Sequence, residues 1–334
     1  MLVPFVIDTD SLAPDPAWTA AQVRTYHQSL LEVWQRIGLL THDGDSFENS
    51  RLQAAVQQLP QKLRPLWQEI LERVPLRACG NRWNGTVTAG NISQLSGITS
   101  LALVDDARAE VEFEFDDDEL SKTVRGAPDI EVCRLISAGQ ATTFKTALDQ
   151  SGMHIEAGDT FEDIWSLRFK ELAAARIKPI TIVDRFAVSQ HMACPQTHLS
   201  GLARFLRLLS RDADGERHVT LLSALTDEVR EYGLPAVKAN LDNMIARLEL
   251  KNIKRLKVFM VPNPAFGRCG HDRFFRFEKY VWDIGLGLKV FQGPFSQERS
   301  SAAFKTGYAI VSGYKQVEDN LRDDRGTKAV EVPA

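Results

Sequence analysis

Residues 256–291 read LKVFMVPNPAFGRCGHDRFFRFEKYVWDIGLGLKVF, and their pattern sets both the expected fold and the expected chemistry. The apolar run 256–261 has the length of a buried strand. A turn rich in Pro, Asn and Gly follows, and it delivers His271, Asp272 and Arg273. Phe274, Phe275, Phe277, Tyr280 and Trp282 come next at strand spacing. Aromatics so placed pack in a core; base stacking is the functional alternative. Glu278 and then Gly285-Leu286-Gly287-Leu288 complete the stretch.

Upstream, the period alternates between helix and strand. Residues 161–175 predict a helix, with Ile164, Trp165, Leu167, Arg168 and Leu172 on or beside its buried stripe. Residues 179–183 predict a strand ending at Asp184. A helix at 202–209, a strand at 218–222 and a helix at 237–250 lead into the strand at 256–261. Such alternation implies parallel pairing through crossovers. Residues 151–318 are therefore expected to form an α/β domain with a mixed, largely parallel sheet flanked by helices. The polar end, 319–334, is expected to be a flexible tail.

The first 150 residues predict a second α/β domain. The run LVPFVI (2–7) reads as a buried strand ending in Asp8, Thr9 and Asp10. Pro14 and Pro16 punctuate a loop, and Thr19 is the expected N-cap of a helix whose face carries Val23, Tyr26, Leu30, Val33 and Ile37. Two helices are expected at 52–59 and 63–74, a strand at 101–104, and a strand at 131–136 before a helix at 142–150. Val111, Phe113 and Phe115 alternate with Glu110, Glu112 and Glu114, which predicts a half-buried strand with an acidic face.

Composition bounds the function. A length of 334 residues suggests two domains. With 40 Lys plus Arg against 44 Asp plus Glu, the net charge of −4 excludes a chain that is basic throughout. The average conceals a local bias. Residues 251–279 hold eight Lys or Arg and two acids, a net +6. Lys254, Arg255, Lys257, Arg268, Arg273 and Arg276 are the cations expected to reach a phosphate. The 44% apolar and 25% charged content excludes a disordered chain. The four cysteines form no C-x-x-C pair, so they read as reduced thiols in a cytoplasmic protein. MLVPFVIDTDSL has no basic n-region and does not read as a signal peptide. No apolar run approaches membrane-spanning length. The pairs His191/Cys194 and Cys269/His271 are inverted and mixed relative to zinc-site spacing.

The spacing around His271 resembles the phospholipase D superfamily pattern, H-x-K-x(4)-D-x(6)-G-[GS]-x-N. His271 stands at the His, Arg273 at the Lys, Glu278 at the Asp and Gly285 at the Gly. The resemblance implies an imidazole that attacks phosphorus or takes a proton, a cation on the phosphate oxygens and an acid that orients the ring. Small residues, Gly285 and Gly287, would let the backbone approach the phosphate. Leu286 and Leu288 depart from the pattern. The superfamily's catalytic site takes two such motifs and this chain has one, so activity would require a homodimer.

Within that superfamily the chain is most similar to the MITC domain, the domain that follows MIT domains. HDRFF (271–275) and GLGLKVF (285–291) match, as do FEDIWSLRFKEL, ITIVDRFAVSQ and SGLARFLRLL upstream. The resemblance spans about 155–314 and implies a phospholipase D-like fold that generally lacks the full catalytic set. The function it implies is a phosphate-binding module, catalytically degenerate, engaging nucleic acid or acidic phospholipid with partners of the same operon, in a bacterial defence setting. Its site would take no cofactor.

Two other readings stand beside it. VIDTDSL resembles the first strand of PIN-like nucleases, whose strand-end Asp binds a divalent cation. Asp8, Asp10, Asp105 and Asp106 would then hold Mg²⁺ or Mn²⁺ in a phosphodiesterase or nuclease. The alternative to any ligand is a structural interaction protein, with acids at strand ends acting as ordinary turn formers.

Overall fold

A computed structural model describes residues 1–13, 19–195 and 197–333; Pro14 and Pro16 lie outside the described residues. The chain is α/β and divides into two compact units, Leu2–Gln150 and Ser151–Ala334, the latter with Met1.

In the first unit the elements run β1 (Val3–Ile7), α1 (Ala20–Ile37), β2 (Gly38–His42), α2 (Arg51–Gln58), α3 (Arg64–Arg73) and β3 (Leu76–Ala78). Then come β4 (Leu101–Val104), α4 (Asp106–Phe113), β5 (Ser121–Val124), β6 (Ala127–Arg134) and α5 (Thr142–Gln150). The sheet order is β3-β2-β1-β4-β6-β5. All neighbours pair in parallel except β5 and β6. Every residue of β2 and β4 is buried, as strands covered on both faces require. Thr19 caps α1 in a reciprocal capping box with Gln22. Gly38 follows at a close approach: a Cβ there would lie 2.7 Å from Phe5 Cε1 and 2.8 Å from Trp34 Cα.

The alternating segment around Val111 is helix α4, not a strand. Asp105 caps it by accepting from the Arg108 N–H at 2.7 Å, and Ala109 and Phe113, four residues apart, are its buried positions. Val111 is left 80% exposed. Cap and i,i+4 spacing outweigh the period-two pattern.

The second unit opens with α6 (Phe161–Arg168) and α7 (Lys170–Ala174), one expected helix broken at Phe169, whose φ and ψ are −116° and −27°. Then follow β7 (Pro179–Asp184), α8 (Ala187–Met192), α9 (Gly201–Asp212), β8 (Arg217–Leu225), α10 (Asp227–Tyr232), α11 (Leu234–Leu248), β9 (Ile253–Pro262) and α12 (Asn263–Phe266). The last elements are β10 (Arg273–Phe277), β11 (Tyr280–Ile284), β12 (Ala302–Lys305), α13 (Tyr308–Arg322) and β13 (Lys328–Pro333). The sheet order is β12-β11-β10-β7-β8-β9-β13.

This sheet is mixed, but not largely parallel. Only β7–β8 and β8–β9 pair in parallel. The others are antiparallel; β10 and β11 share a two-residue hairpin, a link that admits no parallel crossover. The segment expected as a tail, 319–334, is likewise not loose over its described residues 319–333. They contain the end of α13 and all of β13, which pairs with β9. Leu321, Val330 and Val332 are buried, the last two alternating as a half-buried strand demands. Phe274, Phe275, Phe277, Tyr280 and Trp282 are all buried, because both faces of the β10–β11 hairpin are covered.

Candidate functional site

The C-terminal end of β7 organises the site. Asp184 is its last residue, and the antiparallel register places Arg273, the first residue of β10, opposite it. His271 and Asp272 therefore arrive at the strand end where open α/β sheets present ligands. β11 returns Asp283 opposite Phe274.

Asp184 is buried and anchors two loops. Its Oδ1 accepts from the Phe186 N–H at 2.9 Å and its Oδ2 from the Leu288 N–H at 2.7 Å. Burial pushes its pKa up to about 6, against the pull of those two bonds and of Arg273. Gly287 has φ +54°, and a Cβ there would sit 2.3 Å from Asp184 Oδ2. A Cβ on Gly285 would sit 2.7 Å from Ser301 Oγ. The two glycines thus make room for Asp184 and Ser301. The Leu288 N–H is spent on the same carboxylate.

Two guanidinium groups share one ring. The Arg273 guanidinium carbon lies 5.2 Å from the Phe186 ring centroid and that of Arg185 lies 5.3 Å from it. Arg273 Nη1 donates to the Gly285 carbonyl, and Arg185 Nε donates to Asn263 Oδ1 at 2.9 Å. The Arg185 N–H donates to the Asp272 carbonyl at 3.2 Å, so the two segments are stitched together.

His271 Nδ1 lies 2.8 Å from Asp283 Oδ2, and its side chain is 45% exposed. Tyr314 of α13 donates its hydroxyl to the same oxygen at 2.8 Å, and its ring lies 4.5 Å from the imidazole. Burial and that bond push the Tyr314 hydroxyl pKa up. The acid that orients His271 is therefore Asp283. Glu278 sits in the hairpin turn at φ +53°, at the far end of β10. At about 3.3 Å per residue that is too far to reach the imidazole.

Most cations of the basic run face acids supplied elsewhere in the unit. Arg276 forks onto both carboxylate oxygens of Glu318, which is 1% exposed, so it is a structural ion pair. Arg255 and Lys257 meet Glu331, Arg268 meets Asp324 at 2.8 Å and Lys254 meets Glu216 at 3.7 Å. Three of these acids, Glu318, Asp324 and Glu331, lie in the segment from α13 to β13.

In the first unit the four strand-end acids each have a protein partner. Asp8 is fully buried. It accepts from Ser11 Oγ at 2.6 Å and the Val87 N–H at 2.9 Å, and lies 3.0 Å from Arg108 Nε. Burial raises its pKa, and these partners oppose that. Asp10 also pairs with Arg108, at 3.1 Å. Asp105 caps α4, and Asp106 pairs with Arg134 at 3.0 Å. The Arg108 guanidinium therefore bridges Asp8 and Asp10. Among the described residues no group of three or more His, Cys, Asp or Glu is arranged to hold a metal ion.

Asp184, Arg185, Asp283 and Tyr314 escape the sequence reading. DRF at 184–186 reads there as a turn after a strand. The usable signal for Asp283 is a lone acid inside an aromatic strand. No helix among the described residues is long and apolar enough to cross a membrane. Compared with known proteins, the chain matches no family model and no curated protein.

Proposed function

We propose that the unit 151–334 is a phospholipase D-like, MITC-like module that binds the phosphate groups of nucleic acid or acidic phospholipid at the end of β7. The observation that supports this most is the pair Arg185 and Arg273 on the Phe186 ring, beside the half-exposed His271. Two guanidiniums and an imidazole lie there among Asp184, Asp272 and Asp283. Asp184 is taken up by two backbone N–H groups and Asp283 by His271 and Tyr314. The guanidinium N–H groups that remain suit a phosphate, which takes several charge-assisted hydrogen bonds at once. The pairs that Arg255, Lys257 and Arg268 make lie at the surface, where ion pairs are weak, so those cations can exchange partners with a longer polyanion.

The module is read as catalytically degenerate. The Leu288 amide and both glycines are committed to protein contacts, and the chain carries one His motif. A phosphodiesterase is the second reading, favoured by the His271–Asp283 pair, which holds Nδ1 and leaves Nε2 as the nitrogen that can exchange a proton. It would require a homodimer.

The test is binding of a labelled single-stranded oligonucleotide, and separately of vesicles containing an acidic phospholipid. Arg185→Ala with Arg273→Ala should weaken whichever binds. Cleavage lost in His271→Ala would move the assignment to the second reading. Binding of neither probe would remove the first.

A further inference from the structure

Beyond β11 the chain makes a short 3₁₀ turn, Gly287–Phe291, and then a loop, and the two enclose an open pocket of about 300 Å³. Leu286 and Lys289 line it from the turn, and Phe295, Gln297 and Glu298 from the loop, with Gln292 between them.

This pocket adjoins the arginine cluster. Leu286 stands between the two glycines that Arg273 touches. Arg273 Nη1 donates to the Gly285 carbonyl, and a Cβ on Gly287 would lie 3.2 Å from Arg273 Cδ. Gly287 also packs on Asp184, so the turn and the cluster share one strand end. A phosphate held by Arg273 would therefore have the pocket beside it.

The lining suits a flat ring with a polar edge. Phe295 is 45% exposed, which leaves phenyl surface in water that a stacked ring would cover. Leu286 adds a second apolar contact. Gln292 and Gln297 are exposed, and each carboxamide offers a donor and an acceptor together. Lys289 and Glu298, paired at 2.7 Å, make another part of the wall polar. An acyl chain laid here would strip water from these polar groups without replacing it, which disfavours a lipid tail as the occupant.

Resting on the phosphate-binding reading of the β7 end, we propose that the ligand there is single-stranded nucleic acid, whose base next to the bound phosphate enters this pocket and stacks on Phe295. Stacking on an aromatic ring tolerates any base, and a carboxamide pairs with an exposed base edge. A paired base does not fit this role, because sequence readers of this kind take unstacked bases splayed out of a single strand. The volume is at the lower end of the range for small-molecule sites, about 300–1,000 Å³, which accommodates one base with its sugar.

The test is a fluorescence-anisotropy titration of the full chain with two labelled strands of equal length. One is an ordinary single-stranded oligonucleotide, and the other keeps every phosphate but carries abasic sugars. The wild-type chain should bind the ordinary strand about fivefold or more tighter. Phe295→Ala should remove that preference, and Phe295→Tyr should keep it. Abasic-strand affinity should be the same in all three proteins, which shows that the variants are folded. Equal binding of the two strands by the wild-type chain would overturn the base pocket and leave the phosphate site standing. Equal weakening of both strands by Phe295→Ala would assign Phe295 a structural role and overturn it too. Binding of neither strand would remove the phosphate reading with it. Binding to acidic phospholipid vesicles that falls in Phe295→Ala, with oligonucleotide affinity unchanged, would assign the surface to lipid and overturn the proposal.

Discussion

The ends of the parallel strands in the two units hold opposite electrostatic arrangements. In Leu2–Gln150, acids lead: Asp8, Asp10 and Asp106 project from or just beyond strand ends, and Arg108 and Arg134 answer them. In Ser151–Ala334, Arg185 and Arg273 crowd one phenyl ring, while Asp184 is consumed by two backbone N–H groups and Asp283 by His271 and Tyr314. The first arrangement is closed on itself. In the second, Arg273 donates to the Gly285 carbonyl and Arg185 to Asn263, and their remaining N–H groups are the ones the proposed phosphate would use. Position in a fold therefore marks where a site can form, and the charge balance at that position decides whether one does.

The comparison breaks most visibly at Arg108. Arg108→Ala leaves a fully buried carboxylate, Asp8, without its cation. The expected loss is about 3–5 kcal/mol of unfolding free energy, read from denaturant midpoints. If Asp8 and Asp10 instead held a divalent cation, the variant would bind Mn²⁺ more tightly and be stabilised by it.

The second unit has its own closed feature in Gly287. Gly287→Ala puts a methyl group 2.3 Å from Asp184 Oδ2 at φ +54°. Clash and left-handed strain together should cost about 2–4 kcal/mol. A wild-type midpoint in that variant would mean the carboxylate is not held where it is described.

Asp184 also sharpens the contrast through pH. Its folded pKa of about 6 is above the ordinary 3.8, so the native state binds the proton more tightly than the unfolded chain. Its contribution to stability is complete below pH ~4 and is lost as pH rises through ~6, a fall of up to about 3 kcal/mol. Asp184→Asn should flatten that window in a pH series of unfolding curves. It should also lower stability overall, since an amide can accept from only one of the two N–H groups. The smallest effect belongs to Glu331→Gln at the surface pairs with Arg255 and Lys257, where the unfolding midpoint should stay within error of wild type. A larger loss would show that β13 is tied to β9 by charge and not by Val330 and Val332.

The sequence discloses the periodic parts of this molecule and conceals the parts set by long-range pairing. Strands of continuous apolar residues, such as β1, β4 and β7, and the capped helix α1 are legible because the signal is local. The segment around Val111 misleads because period-two alternation coexists with a capped i,i+4 pair, and burial of Ala109 and Phe113 decides between them. KAVEVP is short and polar enough to pass for a tail until β9 offers it an edge. In the site, His271 and Arg273 are legible from their spacing. Asp283 is not, because it reaches His271 only through the β10–β11 register, and Arg185 is not, because Arg273 joins it on the Phe186 ring only through the β7–β10 register. Lys254, Arg255, Lys257 and Arg268 form a net positive run in the sequence, yet the acids that answer them lie up to dozens of residues away.

The direct test of the central claim is a fluorescence-anisotropy titration of a labelled single-stranded oligonucleotide at two or more salt concentrations. It compares the wild-type chain with the double variant Arg185→Ala, Arg273→Ala. The account predicts affinity about tenfold or more weaker in the variant, and a log K against log salt slope reduced by about 1.4, two phosphate contacts at ~0.7 each. An unchanged affinity and slope would contradict it.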